Sequence, residues 1–316
     1  MLLKMPVVNR FFSARLTGAL LLLAGHAAVA HAADDFRVTY AGSMGVVMDK
    51  ALGPAFAKAQ QVNYQGQGQG AYGMANLLAS RKVVADVFVS ITPGPIEVLQ
   101  KAGLVDKALP VASTSMVIAY NPKGKYAPAF DAIREGKADA QPWWKVLQTP
   151  SLHFGRTDPV TDPQGQNIIF TMMLAGRYYQ QPTLSKNVLG ETQNPQQVFA
   201  EGGLLSRLEA GQVDAASGYE SATRSAGLPF IKLPDEINLS NPTLNDSWYS
   251  KVSFTVVDAK GQQKTLHPQP LVFYAAVLKN APHPELAQKF VQFMQSEQGR
   301  QLFTQNGYGQ PKGGAI

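Results

Sequence analysis

From residue 36 to residue 103, short apolar runs alternate with stretches of helical spacing, and that alternation restricts the chain to few architectures. "FRVTYAG" (36–42) reads as a buried strand ending in glycine, and "VVMDKALGPAFAKAQ" (46–60) has the spacing of a helix. "VNYQ" (62–65) reads as a short strand and "ANLLASRK" (75–82) as a helix. "ADVFVS" (85–90) reads as another strand, and "GPIEVLQKAG" (94–103) as a helix closed by Gly103. Strands alternating with helices predict an α/β fold with parallel strands, right-handed crossovers and helices covering the sheet. Ligands of such sheets sit at the carboxyl ends of the strands, where the helices begin.

Further along, "WWKVLQ" (143–148) reads as a short helix and "LHFGRTD" (152–158) as a strand. "GQNIIFTMMLAGRYYQ" (165–180) has the pattern of a long amphipathic helix. "LLSRLEAGQ" and "VDAASGY" add a helix and a strand. "PELAQKFVQFMQSEQGRQLF" (284–303) reads as one strongly periodic helix, and "PDEINLSNPTLNDSW" (234–248) as an irregular surface segment. Two longer strands, "TSMVIAYNP" (114–122) and "PLVFYAAVLK" (270–279), bracket this middle region. They suggest a chain that crosses between two lobes twice. The expected lobes are 34–119 plus 271–316, and 120–270; roughly 284 residues beyond residue 32 exceed the usual size of a single core.

Residues 1–32 carry Lys4, Arg10 and Arg15 but no acid, then the apolar run "ALLLLAGHAAVA", then "AHA". That is the pattern of a cleaved secretory signal peptide, so an exported protein is expected. Of the 28 Lys and Arg three lie in this leader, and against 22 Asp and Glu the remainder carries +3. An excess this small, with no basic stripe, argues against a nucleic-acid partner. The sequence has no cysteine, which removes disulfides, thiol nucleophiles and zinc–thiolate sites. His153, His267 and His283 are isolated in sequence, so a histidine metal site is not expected. No G-x-S-x-G, S-x-x-K or paired-acid arrangement with a nearby base is present, and no enzymatic activity or resident cofactor is expected.

"YQGQGQGAYGM" (64–74) contains a literal G-x-G-x-x-G at Gly68, Gly70 and Gly73. A dinucleotide fingerprint would follow the first strand, with an acid ending the next. Here the glycines follow the second strand, and Asp86 begins the third. Two readings remain: a flexible turn, or a helix start at Gly70, Ala71 and Tyr72 whose amides and dipole favour an anion. The first strand–helix junction, "YAGSMG", puts Gly42 and Ser43 in a comparable place. Ser43 suits an N-cap and a ligand contact equally. In "GRTDPVTDPQGQN" (155–167), Asp162-Pro163 reads as an N-cap with proline at the first helical position, and Asp158-Pro159 suits a turn. Gln164 and Gly165 follow in that helix start. A fourth junction, "ASGYESA", carries Tyr219 and Glu220, the latter equally readable as a solvated first-turn acid.

Taken together, "AGSMG", "ADVFVS", "GRTDPVTDPQGQN", "KLPDEINLSNPTLNDSWYSKVSFTV" (232–256) and "PLVFYAAVLKNAP" resemble the periplasmic molybdate/tungstate-binding proteins of ABC importers over nearly the whole chain. The resemblance implies a type II periplasmic-binding-protein fold. Two lobes, each a mixed, mostly parallel sheet flanked by helices, are joined by two hinge strands and close on one oxyanion. It also implies a monomer in the periplasm, a membrane permease and ATPase as partners, and no catalysis. In the tungstate/molybdate branch two carboxylates approach the metal centre of the oxyanion. By position these would be Asp162 and Glu220, with Asp158 in reserve. The sequence departs from the family where Ala71 stands in place of a hydroxyl and where the second-lobe loop reads Gln164-Gly165-Gln166. Another anion (sulfate, phosphate, an organic acid), ferric ion, or a non-transport sensor role are the rival readings. Tyr178-Tyr179, the pair a ferric site would use, reads as core of its helix.

Overall fold

The computed structural model describes residues 35–258 and 261–316; the expected leader lies outside them. In chain order the strands are β1 (Asp35–Ala41), β2 (Asn63–Gln69), β3 (Val87–Ile91), β4 (Ala108–Ser113), β5 (Met116–Tyr120) and β6 (Phe154–Thr157). Then come β7 (Val198–Phe199), β8 (Ala215–Tyr219), β9 (Phe230–Lys232), β10 (Phe254–Val257), β11 (Gln263–Leu266) and β12 (Val272–Val277). They form two five-stranded sheets, ordered β2-β1-β3-β12-β4 and β7-β6-β8-β5-β9, and the hairpin β10-β11.

In the first sheet β1 runs parallel to β2 and β3, while β12 is antiparallel to β3 and β4. In the second, β6 runs parallel to β7 and β8, while β5 is antiparallel to β8 and β9. The inner strands β3 and β8 are buried at every residue, as strands covered on both faces must be. The helices are held by apolar contact, for example Phe36, Phe56 and Phe290, whose ring centroids lie 4.9–5.4 Å apart.

The chain leaves the first sheet at Ser113 and enters the second at Met116. The expected crossing strand therefore pairs wholly within the second sheet, and the crossing itself is the two residues Thr114 and Ser115. The return lies beside it: the Thr114 amide donates to the Leu271 carbonyl (3.2 Å).

Several elements differ from their sequence patterns for identifiable reasons. The glycine-rich stretch is neither a loop nor a turn up to Gln69. It is the second half of β2, an edge strand in which glycine is needed because a Cβ at Gly68 would meet the Tyr40 ring at 2.6 Å. The helix after β1 begins as a 3-10 turn, Gly42–Met44, and widens to a π segment, Met48–Leu52, just before Pro54, which has no amide to continue the ladder. The long C-terminal helix is two, Pro284–Gln295 and Glu297–Gln305. Ser296 breaks it by leaving helical geometry and capping the second piece through the Gly299 amide (3.1 Å). Tyr178 is not core: it is 41% exposed, while Tyr179 accepts a bond from the Trp143 indole (3.2 Å).

Candidate functional site

Four strands end side by side in pairs, β1 with β2 and β6 with β8, and each hands its chain to a helix at its carboxyl end. The four helix starts are linked in a chain of contacts. A Cβ at Gly68 would lie 3.3 Å from the Gly42 Cα, which joins the first two. A Cβ at Gly70 would lie 3.0 Å from the Thr161 carbonyl and 3.3 Å from the Asp162 Cβ, and the Gly73 amide donates to that same carbonyl (3.2 Å). The first sheet thereby meets the second. The Gln164 side chain donates to the Ser217 carbonyl (2.8 Å), and the Asn167 side chain to the Tyr219 hydroxyl (3.1 Å), which ties the third start to the end of β8. Gly42 and Ser43 line a separate cavity with Ala222 and Ser225, which meets the cavity of Gly70 and Asp162 at Gly202.

Along this chain of contacts polar groups are buried and unmatched. Among the described residues the Ser43, Thr157 and Ser217 hydroxyls and Asp162 Oδ2 have no hydrogen-bond partner at bonding distance. Such groups cost about 1–3 kcal/mol each when left unsatisfied, so a buried set of them marks a place built for something else to complete. At the second start Gly70 caps the helix Ala71–Ala79 without a side-chain bond, and the amides of Ala71 and Tyr72 have no partner in the helix. The Tyr72 ring turns away, into a separate hollow with Glu97, Lys264 and His267.

Asp162 is the N-cap of the helix Pro163–Tyr178. Its Oδ1 accepts the Gln164 amide (2.9 Å), and the residue is only 3% exposed. Burial pushes its carboxyl up to about 6. The Gln164 amide and the Thr157 hydroxyl work against that rise, and the charge of Asp158 adds to it. Gly165 has to be glycine, because a Cβ there would run into the Thr157 carbonyl. Asp158 accepts the Val160 amide (2.9 Å) and lines the same cavity as Gly70, Thr161 and Asp162. Among the described residues no Lys or Arg lines that cavity.

Glu220 does not join Asp162. It is the first residue of the helix Glu220–Ser225, and its carboxylate accepts from the Ser115 hydroxyl (2.9 Å) and the Arg224 guanidinium (2.8 Å), with Lys232 at 3.6 Å. It lines a different hollow, with Lys312, Asp235 and Tyr308, that shares no residue with the Asp162 cavity. Burial raises its carboxyl, but the bonds from Arg224 and Ser115 and the charge of Lys232 outweigh that and hold it below the usual range. Sequence reasoning also passed over Ser217 and Asn167. Asn167 lies one turn past the cap of a helix whose first turns are buried on every side, a position that the polar run "QGQN" marks as unusual.

Residues 36–309 match the family model described as bacterial extracellular solute-binding protein. The molybdate/tungstate-binding protein WtpA of Pyrococcus abyssi is 29% identical over 294 residues, covering 85% of this chain and 82% of its own. Among solved structures, the periplasmic molybdate-binding protein of Azotobacter vinelandii superposes with a TM-score of 0.55 at 14% identity, covering 88% of this chain and all of its own. The sulfate-binding protein SubI of Mycobacterium tuberculosis does so with 0.55 at 17%, covering 88% and 86%. The two structural likenesses speak for the fold alone, and their different ligands show that the fold does not choose the anion. Among the described residues no helix is long and apolar enough to cross a membrane.

Proposed function

The chain belongs to the bacterial extracellular solute-binding proteins, and from that premise we propose that it captures a tungstate or molybdate dianion and delivers it to the permease and ATPase of an ABC importer. The observation that carries this reading is the cavity between the helix starts at Gly70 and Asp162, one from each sheet, into which the buried and unmatched acid of Asp162 is set. Amides at Gly70–Tyr72 and near Gly165, with the Ser43 hydroxyl, replace the water shell of the anion, and helix dipoles add favourable potential. Hydrogen bonds to a charged group contribute about 1.5–3 kcal/mol each, so a handful reaches roughly micromolar affinity after desolvation and closure.

Asp162 is the acid assigned to the guest. A carboxyl group beside an oxyanion is repulsive unless it is protonated and donates, or reaches a metal centre that can expand its coordination, which tungstate or molybdate provides and sulfate or phosphate does not. With Glu220 engaged elsewhere, one carboxylate rather than two serves this purpose, and Asp158 stands next to it. The lobes are divided at Thr114–Ser115 on the outward crossing and near Leu271 on the return. Ligand held by both favours the closed form by its differential affinity for it. The protein is exported through its leader and works as a periplasmic monomer.

Thermal unfolding of the leader-free protein with tungstate, molybdate, sulfate, phosphate or citrate tests the reading. Tungstate or molybdate should raise the Tm by mass action well beyond the rest. Selective stabilisation by sulfate, phosphate or citrate instead would reassign the guest.

A further inference from the structure

Arg156 precedes the cavity-lining residues Thr157 and Asp158 on β6, and it is wholly buried. Its guanidinium donates to the Gln197 side-chain oxygen (3.1 Å), the Thr192 carbonyl (2.8 Å) and the Glu191 carbonyl (2.8 Å). Each of these acceptors is neutral. Among the described residues no carboxylate pairs with it at ion-pair distance. Burial pulls its pKa down to about 10, opposed by the charge of Asp158, so it remains a cation at neutral pH.

A buried, unpaired cation is costly. Holding two carbonyls and an amide oxygen in place does not by itself require a positive charge. Successive side chains on a strand point to opposite faces, so Arg156 stands behind the wall that Thr157 forms and does not touch a guest. Among the described residues the cavity on the other side is lined by no Lys or Arg, and its charged lining groups are the acids Asp158 and Asp162. A charge acting through protein rather than water is weakly screened. The same side chain anchors residues 191–197, which lead into the Val198–Ala200 stretch of that cavity.

We propose that Arg156 is the through-space counter-charge of the anion site and sets its preference for doubly over singly charged guests. This rests on the reading that the cleft takes an oxyanion. It adds the source of the missing positive charge and the charge class selected.

Perrhenate is a tetrahedral oxyanion close in size to tungstate with one negative charge instead of two. Calorimetric titration of wild type, Arg156→Gln and Arg156→Lys with both anions, at one ionic strength, provides the test. Arg156→Gln should lose at least about tenfold more affinity for tungstate than for perrhenate, whereas Arg156→Lys, which keeps the charge without the fork, holds the wild-type ratio within about threefold. Equal weakening of both anions in Arg156→Gln, or no weakening, overturns the proposal and leaves Arg156 as an anchor of its loop. Should Arg156→Gln not fold, Arg156→Lys decides. Its tungstate-to-perrhenate ratio falls at least about tenfold between about pH 7 and about pH 9, as the buried ammonium gives up its proton, while the wild-type guanidinium stays charged over that range and its ratio does not move. A flat ratio in the lysine variant overturns the proposal. If the wild type binds none of tungstate, molybdate and perrhenate, the functional reading itself has failed; if it binds tungstate and the ratios do not move, only the role of Arg156 has.

Discussion

Asp162 and Glu220 each stand at a helix start in the second sheet, each at the carboxyl end of a strand, and their fates are opposite. Asp162 sits at the N-cap, outside the helical turn, where its side chain reaches past the end of the helix and spends one oxygen on the Gln164 amide. The other oxygen is buried and unmatched. Glu220 comes one position later, after Tyr219 as N-cap, and its side chain runs along the outside of the turn to Arg224. The first amides of its helix are also taken: Glu220 donates to the Ser115 carbonyl (2.8 Å) and Ser221 to the Thr114 hydroxyl (3.1 Å). One helix start is left open to a guest, and the other is closed by the segment that joins the sheets. A single residue of register separates an acid facing a cleft from an acid in a surface ion pair.

The largest test of this contrast is the pH dependence of stability without ligand. Asp162 has its folded pKa raised to about 6 from 3.8, so between these values the folded state holds a proton that the unfolded state releases. Stability therefore falls as pH rises through that window, by on the order of 2–3 kcal/mol. Glu220, with its folded pKa lowered, has the opposite sign: its contribution is present above the unfolded value and is lost as pH falls. Urea unfolding at about pH 4 and about pH 7 should show Asp162→Asn gaining on wild type as pH rises, and Glu220→Gln falling behind. The same slope in both variants would end the distinction.

Next in size, Asp162→Ala should weaken tungstate or molybdate by at least about thirtyfold, a loss of about 2 kcal/mol, while sulfate changes less than about threefold. Equal losses for all anions, read by calorimetry, would reduce Asp162 to its capping role. Gly70→Ala sharpens the picture from the facing helix. Its methyl group would press on the Thr161 carbonyl and the Asp162 Cβ, at 3.0 and 3.3 Å, and hold the two sheets apart. About 1 kcal/mol of closure, or roughly fivefold in affinity, should be lost with little change in the Tm of the ligand-free protein. The smallest effect belongs to Glu220→Gln. The exposed pair with Arg224 contributes under about 1 kcal/mol, and anion affinity should stay within about twofold of wild type. A drop of thirtyfold would return Glu220 to the site.

Much of this was legible beforehand because period and punctuation are local. The alternation from β1 to the helix after β3 and the Asp162-Pro163 cap follow from neighbouring residues. Other features depend on what packs where. The glycines of β2 look like a turn and form a strand, since the reason for glycine is the Tyr40 ring and the backbone of Gly42 beside it. β4 carries two positions that are not fully buried and a proline, too weak a pattern to mark a strand. The break at Ser296 does not interrupt the helical period and is visible only in the backbone.

By itself the sequence determined the class of fold and the chemistry at the helix ends, because hydrophobic period and capping are set within a few residues. Which ends share one cleft, which acid faces it and where the unpaired cation lies were decided by the tertiary structure. Those depend on the register of strands far apart in the chain, and a shift of one position turns a side chain from the cavity to the other face.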